Sequence, residues 1–247
     1  MRTKALWIIG LAIVIVLAVS RHVFTVYTFV QVVAAVLAIV LHEVSHGWAA
    51  LYYGDRTAAE KGRLSLNPIK HIDPFGTLIL PALLLFLGLT PIGYAKPVPI
   101  NPARMRDRRR AELVVAMAGP FTNLVLSILA GVLFRVFLFS TSYASSGPIS
   151  AGGTSFTSLL GLFIVFFGLV NVMLFVFNML PVPPLDGSAW LRRLVGDQRW
   201  FAIERSMRIV IPLLLFVVFF FPSVLGAVIS PILHLWMSIF VPTTAVI

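Results

Sequence analysis

Apolar residues fall in long runs along this chain, roughly from Ala5 to Ser20, Thr25 to Tyr53, Gly76 to Leu89, Ala111 to Ser140, Thr157 to Leu180 and Ile209 to Phe240. Most are near the ~20 residues that a helix needs to cross the hydrocarbon of a bilayer. The pattern predicts an all-α polytopic membrane protein with five to six transmembrane helices. The run from Gly76 to Leu89 contains Pro81 and is short for a span, so it reads as a re-entrant or short β-like segment. The first run follows Arg2 and Lys4 in the manner of a signal peptide. No small-residue cleavage site precedes Arg21-His22, which makes it a retained N-terminal helix over 5–20. A C-terminal helical region is expected over 209–240, and residues 1–247 read as a single domain.

Composition agrees with this pattern. With 59% hydrophobic and 11% charged residues and a mean hydropathy of +0.99, the chain lacks the polar surface that a soluble globule requires. The net charge of +10 might point to nucleic acid, but the distribution of charge points elsewhere. Lys and Arg cluster at 2–4, 56–70, 96–110 and 192–208, and only Arg21 and Arg135 lie outside these groups. The positive-inside rule puts all four groups on the cytoplasmic side, with the N-terminus inside and Gly76–Leu89 between two inside loops. Orientation and attraction to anionic lipid account for the charge, so no nucleic-acid partner is expected. The absence of cysteine excludes disulfides and thiolate metal sites, leaving His and carboxylate as ligands.

Two charged clusters interrupt the apolar runs: His42-Glu43-Val44-Ser45-His46 and Leu185-Asp186-Gly187. Ionisable groups at membrane depth are expensive and by default functional. On a helix, positions four apart lie about 40° apart with a rise of ~6 Å, which lets His42 and His46 reach one ion. Glu43 stands beside that ion without binding it, where a general base takes a proton from metal-activated water. A catalytic zinc usually has three protein ligands and an open position. His22, His71 and His234 are placed for structural roles, and Glu112 sits among basic residues at a helix entrance. Asp186 is the natural third ligand, because the run from Thr157 brings it to the depth of His46. Pro181, Pro183 and Pro184 end the helix before it, and Gly187 relaxes the backbone after it.

His42-Glu43-x-x-His46 together with Asn178-x-x-Pro181-x-x-x-Leu185-Asp186-Gly187 resembles the site-2 protease family of intramembrane zinc metalloproteases. Ala118-Gly119-Pro120-Phe121-Thr122-Asn123 is similar to that family's third motif. The stretches Asn67–Gly76 and Gly93–Pro99 resemble a compact prokaryotic subgroup without PDZ or CBS domains. The likeness covers about 25–205. It implies one zinc ion (Zn2+) per chain on His42, His46 and Asp186, with Glu43 as catalytic base. It also implies cleavage in or near transmembrane helices of other membrane proteins, in a prokaryotic plasma membrane with the active-site side cytoplasmic. Asn123 matches a polar side chain near the metal and has two open roles, holding substrate or oxyanion, or an interhelical hydrogen bond. Asn178 is expected to satisfy backbone groups freed by the prolines. The proline-alternating segment Tyr94–Ile100 is an edge along which an unwound substrate would lie, its pairing limited because Pro97 and Pro99 lack donors. The competing function is a polytopic divalent-metal or proton transporter using the same His/Asp cluster, although the chain shows no internal repeat.

Overall fold

The computed structural model of the chain describes residues 25–80, 93–140, 156–206 and 221–241. Its long helices are α1 (Val26–Tyr52), α3 (Arg108–Ser140), α4 (Phe156–Asn178) and α7 (Pro222–Phe240). Shorter helices α2 (Thr57–Glu60), α5 (Ser188–Val195) and α6 (Asp197–Arg205) lie in the connections. Among the described residues there is no strand, and the stretch from Gly93 to Asn101 runs without regular structure. The expected helix at 5–20, most of the run 76–89, and the part of 209–240 before Phe221 lie outside the described residues.

Local chemistry sets the helix limits. Thr25 caps α1 by accepting the Thr28 N–H at 3.1 Å, and α1 ends at Tyr53, followed by Gly54 at φ 103°. Pro222 opens α7, where its missing donor is not needed, and Phe221 before it has a non-helical backbone. The described part of the last apolar run is therefore helical from Pro222.

Among the described residues three helices, α1, Arg108–Val136 of α3 and Leu159–Asn178 of α4, are long and apolar enough to cross a membrane. Each packs against the other two, and α7 covers α3 and α4. The contacts use small residues: Ala34, Ala38 and Ala50 of α1 and Ala130 of α3 are buried, so backbones approach closely. Gly168 of α4 receives the Trp236 ring and Gly131 of α3 the Phe240 ring. The Trp236 indole N–H donates to the Ser127 carbonyl at 3.1 Å. Phe29, Val32, Val125, Leu129 and Leu133 point outward and are exposed, the apolar exterior that lipid solvates. Arg135, isolated from the other basic groups, donates Nε and Nη2 to the Ile239 carbonyl at 3.1 and 2.6 Å, satisfying a carbonyl in the last turn of α7.

One end of the bundle carries most of the charge. The Arg106 N–H donates to the Tyr53 carbonyl at 2.8 Å, which joins the end of α1 to the approach to α3. The end of α4 reaches the same level, and α5 returns from there against α3. Because Gly168 faces Trp236, a Cβ built on it would lie 2.6 Å from Trp236 Cη2. Gly168→Val is expected to destabilise the bundle by about 1–3 kcal/mol through overpacking, read as a lower thermal midpoint in detergent. Gly226→Ala is expected not to lower it, because the nearest atom to its Cβ position is 3.9 Å away.

Candidate metal centre

The centre is assembled from α1, α3, α4 and the loop after α4. His42 and His46 lie on the buried face of α1, each 7% exposed. After α4 the chain doubles back. The Gly187 N–H donates to the Asn178 carbonyl at 2.6 Å, closing a loop that returns Asp186 to α1. A Cβ at position 187 would lie 2.6 Å from the Leu180 carbonyl oxygen and closer still to Met179, so glycine is required by close approach. The result is His42 Nε2 and His46 Nε2 at 3.1 and 3.4 Å from Asp186 Oδ2, and 3.1 Å from each other. All three ligand atoms lie within 4.8 Å of one another.

The hydrogen bonds behind these side chains decide which ring nitrogens carry protons. The Phe167 carbonyl only accepts, so the Asn171 side chain must present its NH2 there, at 2.7 Å. Asn171 Oδ1 then faces Asn123 and accepts from Asn123 Nδ2 at 2.7 Å. Asn123 Oδ1 is thereby turned to His42, where Nδ1–H donates to it at 2.5 Å. His46 Nδ1–H likewise donates to the Val115 carbonyl at 2.7 Å. With both protons on Nδ1, each Nε2 presents a lone pair. Asp186 Oδ2 is buried and receives no well-formed hydrogen bond. Three lone-pair atoms thus converge in a confined space, an arrangement that a cation between them would stabilise. Two imidazoles and one carboxylate with no thiolate are a donor set suited to zinc with an open fourth position.

Space for the group is made by glycine as well. Gly119 of α3 faces both rings, and a Cβ there would lie 2.6 Å from His42 Nε2 and closer to His46 Nε2. Next to it, Pro120 deprives the Ala116 carbonyl of its helical donor. Burial opposes ionisation of Asp186, and the Nε2 lone pairs facing it add to that cost, so a cation between the three atoms is what would keep it a carboxylate.

A cavity of about 400 Å³ adjoins the ligands, lined by His42, Glu43, His46, Asn178, Pro184 and Asp186 among others. Glu43 accepts the Val98 N–H at Oε2, at 2.9 Å. Val98 is buried in an irregular segment that is pinned at several points along its length. The Tyr94 N–H donates to the Gly76 carbonyl (3.1 Å), Lys96 N–H to the His71 carbonyl (2.9 Å), and Asn101 N–H to Asp55 Oδ2 (2.6 Å). Arg63 Nη2 donates to the Lys96 carbonyl at 2.7 Å. Asp55, fully buried, also takes the Thr57 N–H at 2.9 Å, so one carboxylate ties α2 to this segment. Burial pushes the Asp55 carboxyl up, and the Asn101 and Thr57 hydrogen bonds with nearby Arg104 overcome this and hold it below its usual range.

The structure brings His42, Glu43, His46 and Asp186 to one cavity. It places Asn123 behind the site, fully buried with both amide ends engaged in interhelical hydrogen bonds. Asn178 is the asparagine at the cavity wall. Its Nδ2 donates to the Leu174 carbonyl at 3.0 Å, within its own helix. Pro181 is exposed, while Pro184 lines the cavity. His71 is buried with Nε2 on the Ser65 carbonyl (2.8 Å), His234 is exposed on α7, and His22 lies outside the described residues. Asn171 had no role in the sequence reading. Its signal was a lone amide in the middle of an apolar helix, a group that must find a partner.

Helices long enough to span a bilayer, a buried His/His/Asp set and a carboxylate beside it define a metal-dependent hydrolase within the membrane. The family model described as Peptidase family M50 matches residues 30–221. YwhC of Bacillus subtilis, provisionally named a zinc metalloprotease, is 35% identical over 188 residues, covering 75% of this chain and 79% of that protein. Rip2 of Mycolicibacterium smegmatis, named in the same way, is 33% identical over 161 residues, 64% of this chain and 55% of its own length. Rip2 of Mycobacterium tuberculosis is 32% identical over 192 residues, 76% of this chain and 67% of its own. No solved structure matches the chain significantly. The chain belongs to peptidase family M50: it is an integral membrane zinc metalloprotease.

Two outcomes are expected here. Asn171→Leu, which releases the amide of Asn123, is expected to weaken zinc binding about 10–100-fold by chelator competition. Asp55 has a lowered carboxyl, so its contribution to stability is present above about pH 4 and is lost as pH falls through the lowered value. Between pH 6 and 3 the thermal midpoint of the wild type is expected to fall more steeply than that of Asp55→Asn.

Proposed function

We propose that this chain hydrolyses peptide bonds in or near transmembrane helices of other membrane proteins, with His42, His46 and Asp186 holding one zinc ion and Glu43 as general base. The observation that carries this reading is the placement of Glu43. It lines the same cavity as the three ligands but is held by Val98 and stays outside the ligand cluster. When bound, zinc supplies Lewis acidity towards the scissile carbonyl and lowers the pKa of its water. Glu43 takes the proton from the attacking water and returns it to the leaving amine. The Val98 N–H fixes one carboxylate oxygen, so Glu43 enters the reaction already oriented. His42 and His46 are kept in the ligating tautomer by Asn123 and Val115. Asn178 is the cavity-wall amide nearest to the role of contacting the substrate carbonyl, which the sequence reading left open for Asn123.

A substrate helix hides its carbonyls in its own hydrogen bonds and must unwind locally before attack. The segment Tyr94–Ile100 is the surface for the unwound chain. The N–H groups of Tyr94, Lys96 and Val98 are bonded to the enzyme, Arg63 Nη2 also reaches the Pro97 carbonyl at 3.4 Å, and Pro97 and Pro99 have no N–H to donate. Substrate N–H groups would therefore donate to it. The cytoplasmic orientation of the site rests on the basic residues of 56–63, 104–110 and 192–205, which belong to the connections and helix ends at the metal-bearing end of the bundle. The pairwise packing of α1, α3 and α4, with α7 on α3 and α4, supports a single domain.

Glu43→Gln is expected to lower the cleavage rate of a membrane substrate about 10²–10⁴-fold with zinc content unchanged. Cleavage at the wild-type rate in that variant would defeat the assignment.

A further inference from the structure

A second, larger cavity adjoins the metal centre. It encloses about 670 Å³ and is lined by Arg108, Arg109, Arg192 and Arg193, with Glu112 and Trp200. Asp186, Glu112, Ala116 and Pro184 are walls of both cavities. A peptide leaving the metal past Pro184 would next meet guanidinium groups contributed by two facing helices, α3 and α5. We propose that this cavity is the subsite for an acidic stretch of the substrate next to the scissile bond, a specificity that rests on the protease reading above.

The charge balance argues for an anionic occupant. Four guanidinium groups face one resident carboxylate, Glu112, because Asp186 is committed to the metal. Glu112 already shows how the site holds a carboxylate. Its Oε1 accepts from Arg108 Nε at 2.7 Å and its Oε2 from Arg192 Nη1 at 2.8 Å. Arg193 Nη1 donates to the Arg109 carbonyl oxygen at 3.5 Å, so a guanidinium of α5 reaches across to α3. In a concave site with protein walls such charges focus their field inward and favour a negatively charged ligand. The ring of Trp200 adds an apolar wall for the stem of a Glu or Asp side chain. Elsewhere at this end the basic residues are dispersed along exposed loops, as Lys70 on the Gly62 carbonyl and Arg104 on Glu60. Those suit a lipid surface. A cavity that shares its wall with the catalytic one is reached by a bound peptide.

The test uses the full chain, zinc-loaded and carrying Glu43→Gln, in nanodiscs of neutral lipid. The probes are fluorescent apolar helical peptides ending in Asp-Glu-Asp-Glu, Ser-Gly-Ser-Gly or Lys-Lys-Lys-Lys. The acidic tail is expected to bind roughly tenfold more tightly than the Ser-Gly tail at low salt, the difference shrinking as salt is raised. Arg109→Gln with Arg193→Gln is expected to erase the difference, and Arg109→Glu with Arg193→Glu to favour the Lys tail, with zinc content retained in both. Equal affinities in the parent protein, or an acidic preference that survives both double variants, overturns the proposal. So does a result in which the arginine changes leave peptide preference intact and weaken only association with vesicles containing phosphatidylglycerol, which would make the cluster a lipid site. If the chain with Glu43 intact cleaves none of the peptides while tail preference and its arginine dependence persist, the protease reading falls and the subsite stands. If cleavage requires Glu43 but ignores the tail, the reverse holds.

Discussion

Two imidazole nitrogens and a carboxylate oxygen, all presenting lone pairs, cannot sit 3.1–3.4 Å apart in a confined, largely buried space unless positive charge lies between them. The rest of the structure follows from this. The protons must be kept off Nε2, which requires acceptors at both Nδ1 atoms. Val115 supplies one from the backbone. The other is the end of a chain that runs from the Phe167 carbonyl through Asn171 and Asn123, so that a helix carbonyl on α4 determines the tautomer of a histidine on α1. The same convergence demands room, which explains why α3 carries Gly119 opposite the rings and why the loop after α4 closes on Gly187.

The proposed base is held from the opposite direction. Glu43 is oriented by the Val98 N–H, Val98 belongs to a segment without a strand partner of its own, and that segment is held by Asp55, Arg63 and the His71 carbonyl. On the proposed mechanism, the geometry of the base thus depends on a buried carboxylate at the end of α1 that would take no part in the chemistry. Metal binding and base positioning would then rest on separate supports, zinc affinity on the α1–α3–α4 contacts and turnover on the 93–101 segment as well.

Much of this was legible from residue order alone. The run Thr25–Tyr53 became a helix over Val26–Tyr52, and Thr157–Leu180 became Phe156–Asn178, because apolar length and the Pro181 stop determine them. Helix α3 starts at Arg108, before the apolar run at Ala111, since arginines at the membrane boundary remain good helix formers. His42, Glu43, His46 and Asp186 stood out because charge at depth has few structural explanations. Asn123 and Asn178 could not be told apart, since which amide faces the cavity depends on helix rotation and not on spacing. Gly119 was legible only as part of a motif, and Asn171 only as a lone amide in an apolar helix. Their importance lies in what they meet across a helix interface, 48 residues away for Asn171 and Asn123.

X-ray absorption at the zinc edge of the purified protein addresses the ligand set most directly. The account predicts one zinc per chain with two imidazole nitrogens, one carboxylate oxygen and one further light ligand at about 2.0–2.2 Å, and a loss of one oxygen scatterer in Asp186→Ala. A spectrum with three imidazoles, or one that is unchanged in Asp186→Ala, would contradict it.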